Sequence, residues 1–227
     1  MKDKKVLIIG LGNSGKAAAE AMVGLGAEVY VQDSKSEDKI DPQLMTFLKE
    51  NAVECFLGRT PDDMSVFDML IVSPGVPLDL EFIKEAKDTG AEIIGELEVA
   101  YRPGKGKYVA ITGTNGKTTT TTLVGEIYKA SGRTTHVVGN IGVAVISKAL
   151  TTSDEDWLVT ECSSFQLESI KDFKPEVSAI LNLTPDHLDR HKTMENYGDA
   201  KAQIFANQDS SQYCVVNYDD KACLALA

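Results

Sequence analysis

Residues 109–119, VAITGTNGKTT, predict the fold of the second half of the chain. The apolar run at 109–112 predicts a buried strand, and the glycine-rich turn at 113–116 leads into a helix from Lys117 to about residue 131. At such a junction backbone N–H groups and the helix dipole favour a bound phosphate. Ile111 stands where the full phosphate-loop pattern has its first glycine, so the alternative is a surface turn with a coincidental GKT. The context favours a phosphate-binding unit in which Lys117 reaches the β/γ oxygens and a threonine hydroxyl ligates Mg²⁺.

Short apolar runs alternate with helical patterns along the whole chain, which is typical of α/β proteins with parallel sheets. We expect strands at 6–9, 29–31, 69–72, 92–94, 109–112, 136–138, 157–160, 177–182 and 213–217, and helices at 15–25, 41–51, 80–88, 117–131 and 193–207. A stretch with proline, two glycines and three cations, 101–107, predicts a linker or tight turn. We therefore expect one domain at 1–98 and a second at 99–227, whose sheet looks unfinished because the chain stops soon after its last strand.

A second glycine-rich turn, GLGNSG at 10–15, follows the first expected strand and opens a helix. Asp33 ends the next strand, at about the separation expected of a dinucleotide-binding fingerprint. Glycines let the backbone approach a diphosphate, and the acid can accept hydrogen bonds from a sugar or base. A nicotinamide cofactor and a UDP-sugar both satisfy this pattern, and a turn without a ligand is the third reading.

Polar residues follow several other expected strands, at the edge where open α/β sheets bind ligands. Glu161 is either a Mg²⁺ ligand facing the phosphate loop or an acid that caps the next helix. His187 lies in PDHLDRH at 185–191, which is either a functional cluster or a solvated loop. Asn140 offers an amide donor to a phosphate or carboxylate, although its turn, like SPG at 73–75, is ordinary when taken alone.

The composition describes an acidic globular protein. Of 227 residues, 43% are hydrophobic and 25% are charged, and the formal net charge is −11, which argues against general binding to nucleic acid or anionic membranes. No apolar run approaches the roughly 18 residues of a membrane span, and no secretory signal opens the chain. The four cysteines lack metal-site spacing and are expected to be reduced thiols. We expect a cytoplasmic protein.

Taken together, these segments resemble the Mur ligase family, which joins amino acids to a UDP-linked muramoyl precursor with ATP. The matching motifs are GLGNSG at 10–15, DSK at 33–35, SPG at 73–75, GTNGKTT at 113–119, GNIG at 139–142, ECSSFQL at 161–167 and NLTPDHLDR at 182–190. The resemblance implies a Rossmann-like N-terminal domain that holds UDP rather than NAD. It also implies a P-loop-type ATPase domain, here incomplete, with the family's C-terminal amino-acid-binding domain absent.

The same resemblance implies a reaction and its partners. The substrates would be UDP-N-acetylmuramoyl-L-alanine, D-glutamate and ATP, and two Mg²⁺ ions would take part. The protein would be a monomer. The substrate carboxylate would attack the γ-phosphate, and the amine would attack the resulting acyl phosphate. The chain itself would be an inactive fragment. An NAD-dependent oxidoreductase, a non-catalytic nucleotide-binding module and, within the class, a folate-extending ligase are the alternatives.

The resemblance also implies roles for individual residues. The UDP end of the substrate would contact Gly12, Asn13, Ser14, Asp33, Ser34, Lys35, Ser73, Pro74 and Gly75, and the muramoyl end would contact Asn140, Ser163, Gln166 and His187. ATP would be held by Gly113, Thr114, Asn115, Gly116, Lys117, Thr118 and Thr119. One Mg²⁺ would take Thr118 and Glu161 and the other His187 and Lys201, and the catalytic residues would be Lys117, His187 and Lys201.

Lys201 lies on the expected apolar face of the 193–207 helix, between Tyr197 and Ile204. A lysine on such a face usually extends its ammonium to the surface, but this helix begins just after the His187 cluster. Burial lowers the pKa of a lysine and leaves more neutral amine to react with CO₂. The family resemblance aligns Lys201 with a lysine that is carbamylated by CO₂, so we expect a carbamate that ligates the second Mg²⁺.

Overall fold

Ten parallel β-strands form two five-stranded sheets in the computed structural model, which describes residues 1–226. The chain divides after Val99 into two units, and each contains one of the sheets. The sequence places the boundary after residue 98. The predicted fold class, two α/β domains with parallel sheets, is confirmed.

The first unit has the strand order β3-β2-β1-β4-β5. Its strands are β1 (Lys5–Ile9), β2 (Glu28–Asp33), β3 (Glu54–Leu57), β4 (Met69–Val72) and β5 (Glu92–Gly95), and its helices are α1 (Asn13–Gly24), α2 (Pro42–Glu50), α3 (Glu81–Asp88) and α4 (Glu96–Tyr101), which runs across the division, with a 3₁₀ turn at Glu37–Lys39. β1 and β4 are continuous apolar runs because helices cover both faces of such a sheet. Leu7 and Leu70 are fully buried in its core.

The second unit has the strand order β10-β9-β6-β8-β7. Its strands are β6 (Lys107–Thr112), β7 (Thr135–Gly139), β8 (Trp157–Glu161), β9 (Val177–Ile180) and β10 (Tyr213–Val216), and its helices are α5 (Lys117–Ala130), α6 (Ile146–Ala149), α7 (Ser164–Leu167), α8 (Leu188–His191), α9 (Met194–Ala202) and α10 (Lys221–Leu226), with a 3₁₀ turn at Gln203–Phe205. β6 lies between β8 and β9, with Ile111 opposite both Glu161 and Ala179. The carboxyl ends of these three strands therefore meet at one edge of the sheet.

Several predicted elements differ from the structure. β3 is missing from the prediction, as are the short helices α6, α7, α8 and α10. The prediction of a linker from residue 101 is wrong at its start, since α4 continues to Tyr101. The expected helix at 193–207 is α9 followed by a 3₁₀ turn that ends at Phe205. Within residues 1–226, no helix combines the length and the apolar character that a membrane span requires.

Candidate nucleotide and substrate site

The phosphate-binding loop connects β6 to α5, as the sequence predicts. Lys117, the first residue of α5, turns back over the loop, and its Nζ donates to the carbonyl oxygens of Gly113 at 2.9 Å and Thr114 at 2.8 Å. The first-turn N–H groups of a helix have no partner within the helix, and they carry the positive end of its dipole. The loop thus presents an ammonium and a helix N-terminus at the same place.

Glu161 ends β8 and faces this loop from the neighbouring strand. Its carboxylate accepts hydrogen bonds from the Thr118 hydroxyl at 2.9 Å and from the Asn140 amide at 3.0 Å. Glu161 is only 1% exposed, so its carboxylate is buried against two neutral donors. A buried carboxylate that is bonded only to neutral donors favours the binding of a cation, because the cation would compensate the negative charge of the carboxylate.

Asn140 reaches Glu161 because the end of β7 packs very close to the end of β8. A Cβ on Gly139 would lie 2.2 Å from the Glu161 carbonyl oxygen, and Gly139 has φ +113°. The backbone N–H of Asn140 also donates to that carbonyl oxygen, at 2.9 Å. Glycine at position 139 is therefore what allows the Asn140 side chain to hold the carboxylate.

Ser163 and Gln166 are paired with each other at the start of α7. The Ser163 hydroxyl accepts from the Gln166 backbone N–H at 3.2 Å, and the Gln166 side chain accepts from the Ser163 backbone N–H at 2.9 Å. This capping box fixes the short helix. It also excludes Glu161 as the cap of this helix, since the residue that caps α7 is Ser163.

Lys201 points inward from α9, as predicted, and is 1% exposed. Its Nζ donates to the Gly113 carbonyl oxygen at 2.9 Å, the same oxygen that Lys117 contacts, and lies 4.5 Å from the centre of the Tyr197 ring. Burial, reinforced by the nearby Lys117 ammonium, lowers the pKa of Lys201 from 10.5 to about 7. The buried site therefore favours the neutral amine far more than water does.

His187 lies at the surface, at the N-terminus of α8, with 48% of its side chain exposed. Its ring is 3.5 Å from the Asp186 carboxylate, 4.9 Å from the Phe165 ring centre and 6.4 Å from the Tyr197 ring centre. Tyr197 is thus a neighbour of both His187 and Lys201. The structure brings Thr118, Glu161 and Asn140 into direct contact, whereas no hydrogen bond or ion pair joins His187 to Lys201 among the described residues.

Sequence reasoning overlooked His191, which forms a buried network beside His187. One ring nitrogen lies 2.9 Å from the Ser164 hydroxyl and the other 3.2 Å from the Glu168 carboxylate, which also accepts from Arg190 at 2.7 Å. Burial lowers the pKa of His191, which favours the neutral imidazole. The network fastens α8 to α7. The available signal, which was not used, is a second histidine four residues after His187.

The glycine-rich turn of the first unit is closed by its own backbone. A Cβ on Gly15 would lie 1.8 Å from the Gly10 carbonyl oxygen, so only glycine fits there, and the Ser73 hydroxyl donates to that oxygen at 2.7 Å. Asp33 accepts from the backbone N–H of Leu11 at 2.7 Å and of Lys35 at 2.8 Å, one on each carboxylate oxygen. Asp33 therefore ties the turn to the end of β2, a role that the spacing alone did not reveal.

A cavity of about 250 Å³ opens at the carboxyl end of the first sheet. It is lined by Ile9, Gly10, Gln32, Asp33, Ser34, Gly75, Val76, Pro77 and Leu80. Three of the predicted UDP contacts, Asp33, Ser34 and Gly75, are among them, whereas Gly12, Asn13, Ser14, Lys35, Ser73 and Pro74 are not. Gly12, Asn13 and Lys35 are exposed, and Ser14, Ser73 and Pro74 are partly buried.

Within the described residues 1–226, no three His, Cys, Asp or Glu side chains group closely enough to hold a metal ion. Mg²⁺ in proteins commonly takes one or two carboxylates and completes its shell with water and phosphate oxygens. The predicted sets, Thr118 with Glu161 and His187 with Lys201, would need such additional oxygens.

The sequence matches two family models. The Mur ligase MurD-like N-terminal domain matches residues 4–95, and the Mur ligase middle domain matches residues 111–227. A UDP-N-acetylmuramoylalanine–D-glutamate ligase of Alkaliphilus oremlandii (strain OhILAs) is 56% identical over 223 residues, which cover 97% of this chain and 49% of that protein. A protein of the same name from Clostridioides difficile (strain 630) is 51% identical over 228 residues, 100% of this chain and 51% of that protein. The chain spans about half the length of these curated relatives.

Solved structures share the fold at low sequence identity. A UDP-N-acetylmuramate:L-alanyl-γ-D-glutamyl-meso-diaminopimelate ligase from Neisseria meningitides has a TM-score of 0.63 at 16% identity, over 99% of this chain and 74% of that chain. A UDP-N-acetylmuramate–alanine ligase from Thermotoga maritima has a TM-score of 0.53 at 22% identity, over 99% of this chain and 51% of that chain. At these identities the likeness shows the fold alone. Since the middle-domain model covers more than half of the chain and the N-terminal model covers most of the rest, the chain belongs to the Mur ligase family.

Proposed function

We propose that the whole protein is an ATP-dependent ligase that adds D-glutamate to UDP-N-acetylmuramoyl-L-alanine, in the cytoplasmic synthesis of peptidoglycan precursors. The names of the curated relatives support this substrate pair. The observation that carries the proposal is the contact of Thr118 with a buried Glu161 beside the Lys117 ammonium. A simple nucleotide-binding turn needs no buried carboxylate at that point, whereas phosphoryl transfer does.

The reaction begins when the substrate carboxylate attacks the γ-phosphate of ATP, which gives an acyl phosphate and ADP. The amine of D-glutamate then attacks the acyl carbon, the amide bond forms, inorganic phosphate leaves and the amine loses a proton. Carboxylate and triphosphate repel each other, so the main task of the protein is to align them and to neutralise charge. Lys117 does this by exchanging its two carbonyl partners for phosphate oxygens.

The residues around Glu161 fit a magnesium ion. The carboxylate is almost fully buried and bonded only to neutral donors among its recorded partners, and the Thr118 hydroxyl oxygen lies beside it. A bound Mg²⁺ would supply charge neutralisation to the transferring phosphoryl group. Asn140 keeps the carboxylate turned toward Thr118, a positioning role that could accompany its proposed contact with the muramoyl end.

For the second metal we propose His187 and Lys201, the latter as a carbamate. A plain ammonium would repel a cation, whereas addition of CO₂ to the neutral amine, with loss of a proton, creates an anionic oxygen ligand. The pKa of about 7 supports the neutral amine. ¹³C-labelled CO₂ should give a carbamate resonance that is lost in Lys201→Ala.

In the first unit we propose a UDP site rather than an NAD site. Both oxygens of Asp33 already accept backbone N–H groups, which weakens the case for a carboxylate dedicated to the ribose 2′-hydroxyl of NAD. Asp33 itself is proposed to line the uridine diphosphate site. Ser34 and Gly75 line the cavity beside it and are proposed to meet the uridine diphosphate, together with Gly12, Asn13, Ser14, Lys35, Ser73 and Pro74. Ser163 and Gln166 are proposed to meet the muramoyl end through the groups that their capping box leaves available.

Calorimetric titration of the chain with UDP, NAD and Mg-ATP tests the proposal. UDP should bind more tightly than NAD, and Lys117→Ala should weaken Mg-ATP binding by about 30- to 100-fold through the loss of a charge-assisted contact. Lys129→Ala is the matched control, because Lys129 lies near the other end of α5 and is paired with Glu126. Tighter binding of NAD than of UDP would exclude the ligase, and unchanged Mg-ATP affinity in Lys117→Ala would exclude the phosphate loop.

A further inference from the structure

Asn182 makes an unusual set of hydrogen bonds to the phosphate-binding loop. Its Oδ1 accepts from the backbone N–H of Thr114 at 3.1 Å and of Asn115 at 2.8 Å, and its Nδ2 donates to the Asn115 carbonyl oxygen at 2.9 Å. The amide orientation is fixed by these partners, since the oxygen faces two donors and the nitrogen faces an acceptor. One side chain therefore holds both backbone polar groups of Asn115.

The position of Asn182 follows from the strand register. β9 pairs with β6 in parallel, with Ile180 opposite Thr112, so the residue two positions after β9 lies beside the residue two positions after β6. The Asn182 backbone carbonyl also accepts from the Thr114 N–H, at 3.0 Å. Further along, the Thr114 hydroxyl donates to the Thr184 carbonyl at 3.1 Å and accepts from the Thr184 N–H at 3.0 Å. The loop is thus fastened at two positions of this segment, Asn182 and Thr184.

These bonds have a consequence for phosphate binding. A glycine-rich phosphate loop offers its successive backbone N–H groups to the ligand. Here the N–H groups of Thr114 and Asn115 are already occupied by Asn182. The donors that remain at the helix start belong to residues 116–119, next to the Lys117 ammonium and the Thr118 hydroxyl.

We propose that Asn182 is a positioning residue that selects the N–H groups of residues 116–119 as the phosphate cradle by occupying those of Thr114 and Asn115. This inference rests on the proposed function of the loop. It assigns to Asn182 an effect on where phosphate sits, beyond its contribution to loop stability. By directing the phosphate to the helix start, Asn182 keeps the transferring group beside Thr118 and Glu161.

Nuclear magnetic resonance of the ¹⁵N-labelled chain, titrated with inorganic tripolyphosphate and Mg²⁺, tests the proposal. In the wild type the amide resonances of residues 116–119 should shift in a saturable way, and those of Thr114 and Asn115 should stay nearly constant. In Asn182→Ala the amide of Asn115 should also shift, whereas that of Thr114 should still be held by the backbone carbonyl of residue 182, and the affinity should fall by about tenfold.

Two further variants separate positioning from loss of folding. Asn182→Asp retains an oxygen for the two N–H groups, loses the donor to the Asn115 carbonyl and adds a negative charge. It should keep the wild-type pattern of shifted amides but bind tripolyphosphate at least about tenfold more weakly. Asn207→Ala is the matched control, because Asn207 also bridges backbone carbonyls, those of Lys171 and Phe173, elsewhere in the same unit. It should leave both pattern and affinity unchanged.

The outcomes distinguish a failure of the proposed function from a failure of the role proposed for Asn182. Absence of saturable shifts in the loop of the wild type would overturn the proposed function, and with it this inference. Wild-type affinity and an unchanged amide pattern in a folded Asn182→Ala would overturn the inference alone. If Asn182→Ala does not fold, unweakened binding by Asn182→Asp has the same force.

Discussion

At the scale of single residues, Lys201 is a buried ammonium with few compensating contacts. Its recorded hydrogen-bond partners are the Gly113 carbonyl and, at 3.5 Å, the Thr112 hydroxyl, and no carboxylate pairs with it among the recorded ion pairs. Burial of a charge without a counter-charge costs free energy, which the fold must offset elsewhere. Such a cost is typical of a residue retained for chemistry.

Lys201→Met should therefore change stability in a pH-dependent way. The pKa is about 7 in the folded protein and about 10.5 in the unfolded chain, so between these values the unfolded chain binds more protons. The free energy of unfolding of the wild type should rise relative to the variant as pH increases from 7 to 10, by at most about 1.4 kcal/mol per pH unit. Urea unfolding in CO₂-free buffer measures this difference in the free energy of unfolding. Lys148→Met, which removes an exposed lysine, is the control for the effect of net charge alone. A difference between the wild type and Lys201→Met that does not change with pH would contradict the prediction.

His191 acts as a neutral connector between α7 and α8. Nδ1 lies 3.2 Å from the Glu168 carboxylate, which favours a proton on that nitrogen, and Nε2 then accepts from the Ser164 hydroxyl at 2.9 Å. The Phe165 ring stacks on the imidazole at 5.4 Å. The network thus combines a hydrogen bond, a close contact with a carboxylate and an aromatic contact.

His191→Phe should keep much of the ring packing but lose the hydrogen bond with Ser164 and the polar contact with Glu168, and should lower the free energy of unfolding by roughly 1–3 kcal/mol. His136→Phe is the matched control, since His136 pairs with Asp156 at 3.2 Å in a more exposed setting and should cost less than about 1 kcal/mol. Urea unfolding monitored by fluorescence of Trp157, in the same unit, provides the measurement. Equal costs for the two variants would show that the buried network adds nothing.

The sequence revealed the individual residues of the site better than their partners. Lys117, Glu161 and Lys201 could be found because each stands at a strand end or on a helix face with a clear period. The ties made by Asn182 and His191 depend on which strands are neighbours and on how short helices pack, neither of which periodicity specifies. Ser163 and Gln166 were assigned to a substrate, although their spacing also fits a capping box.

At the scale of elements, α7 depends on its N-cap residue, Ser163. The helix spans only Ser164–Leu167, and a helix this short has no intrinsic stability in water. The capping box of Ser163 and Gln166 supplies partners for two of its otherwise unpaired groups. The position of Ser164 in the His191 network follows from that cap.

Ser163→Ala should consequently lower the free energy of unfolding by about 1 kcal/mol, whereas Ser163→Thr, which retains a capping hydroxyl, should cost less. Both are measured by urea unfolding without ligand. If Ser163 acted only on a ligand, the alanine variant would be as stable as the wild type under these conditions.

The predicted elements were those with continuous apolar runs or long periodic faces. Central strands such as β1 and β4 are buried on both sides and are apolar apart from Lys5 at the start of β1, so length and composition identified them. β3 was not predicted because it is an edge strand that begins with Glu54 and Cys55 and has a single buried residue, Phe56. The short helices were not predicted because four to six residues are too few to show a helical period.

At the scale of the whole molecule, the two units have separate sheets, and the second sheet has an edge strand with exposed apolar side chains. β10 is the edge strand of the second sheet, and Tyr213 and Val215 on it are 71% and 55% exposed. Exposed apolar side chains on an unpaired parallel edge contribute little to stability and favour association. We therefore expect the second unit to be the less stable of the two.

Trp157 allows this expectation to be tested, because it is the single tryptophan of the chain and lies in β8 of the second unit. Thermal unfolding monitored by Trp157 fluorescence should show a transition below the main one seen by circular dichroism. UDP at about 100 times its Kd should stabilise the first unit by about 2.7 kcal/mol and raise its transition by roughly 10 °C or more, without moving the fluorescence transition. Mg²⁺ with tripolyphosphate should do the reverse, and Lys117→Ala should abolish that effect while leaving the UDP shift intact. A single transition that both ligands raise equally, seen alike by the two probes, would show that the units unfold together and would contradict the prediction.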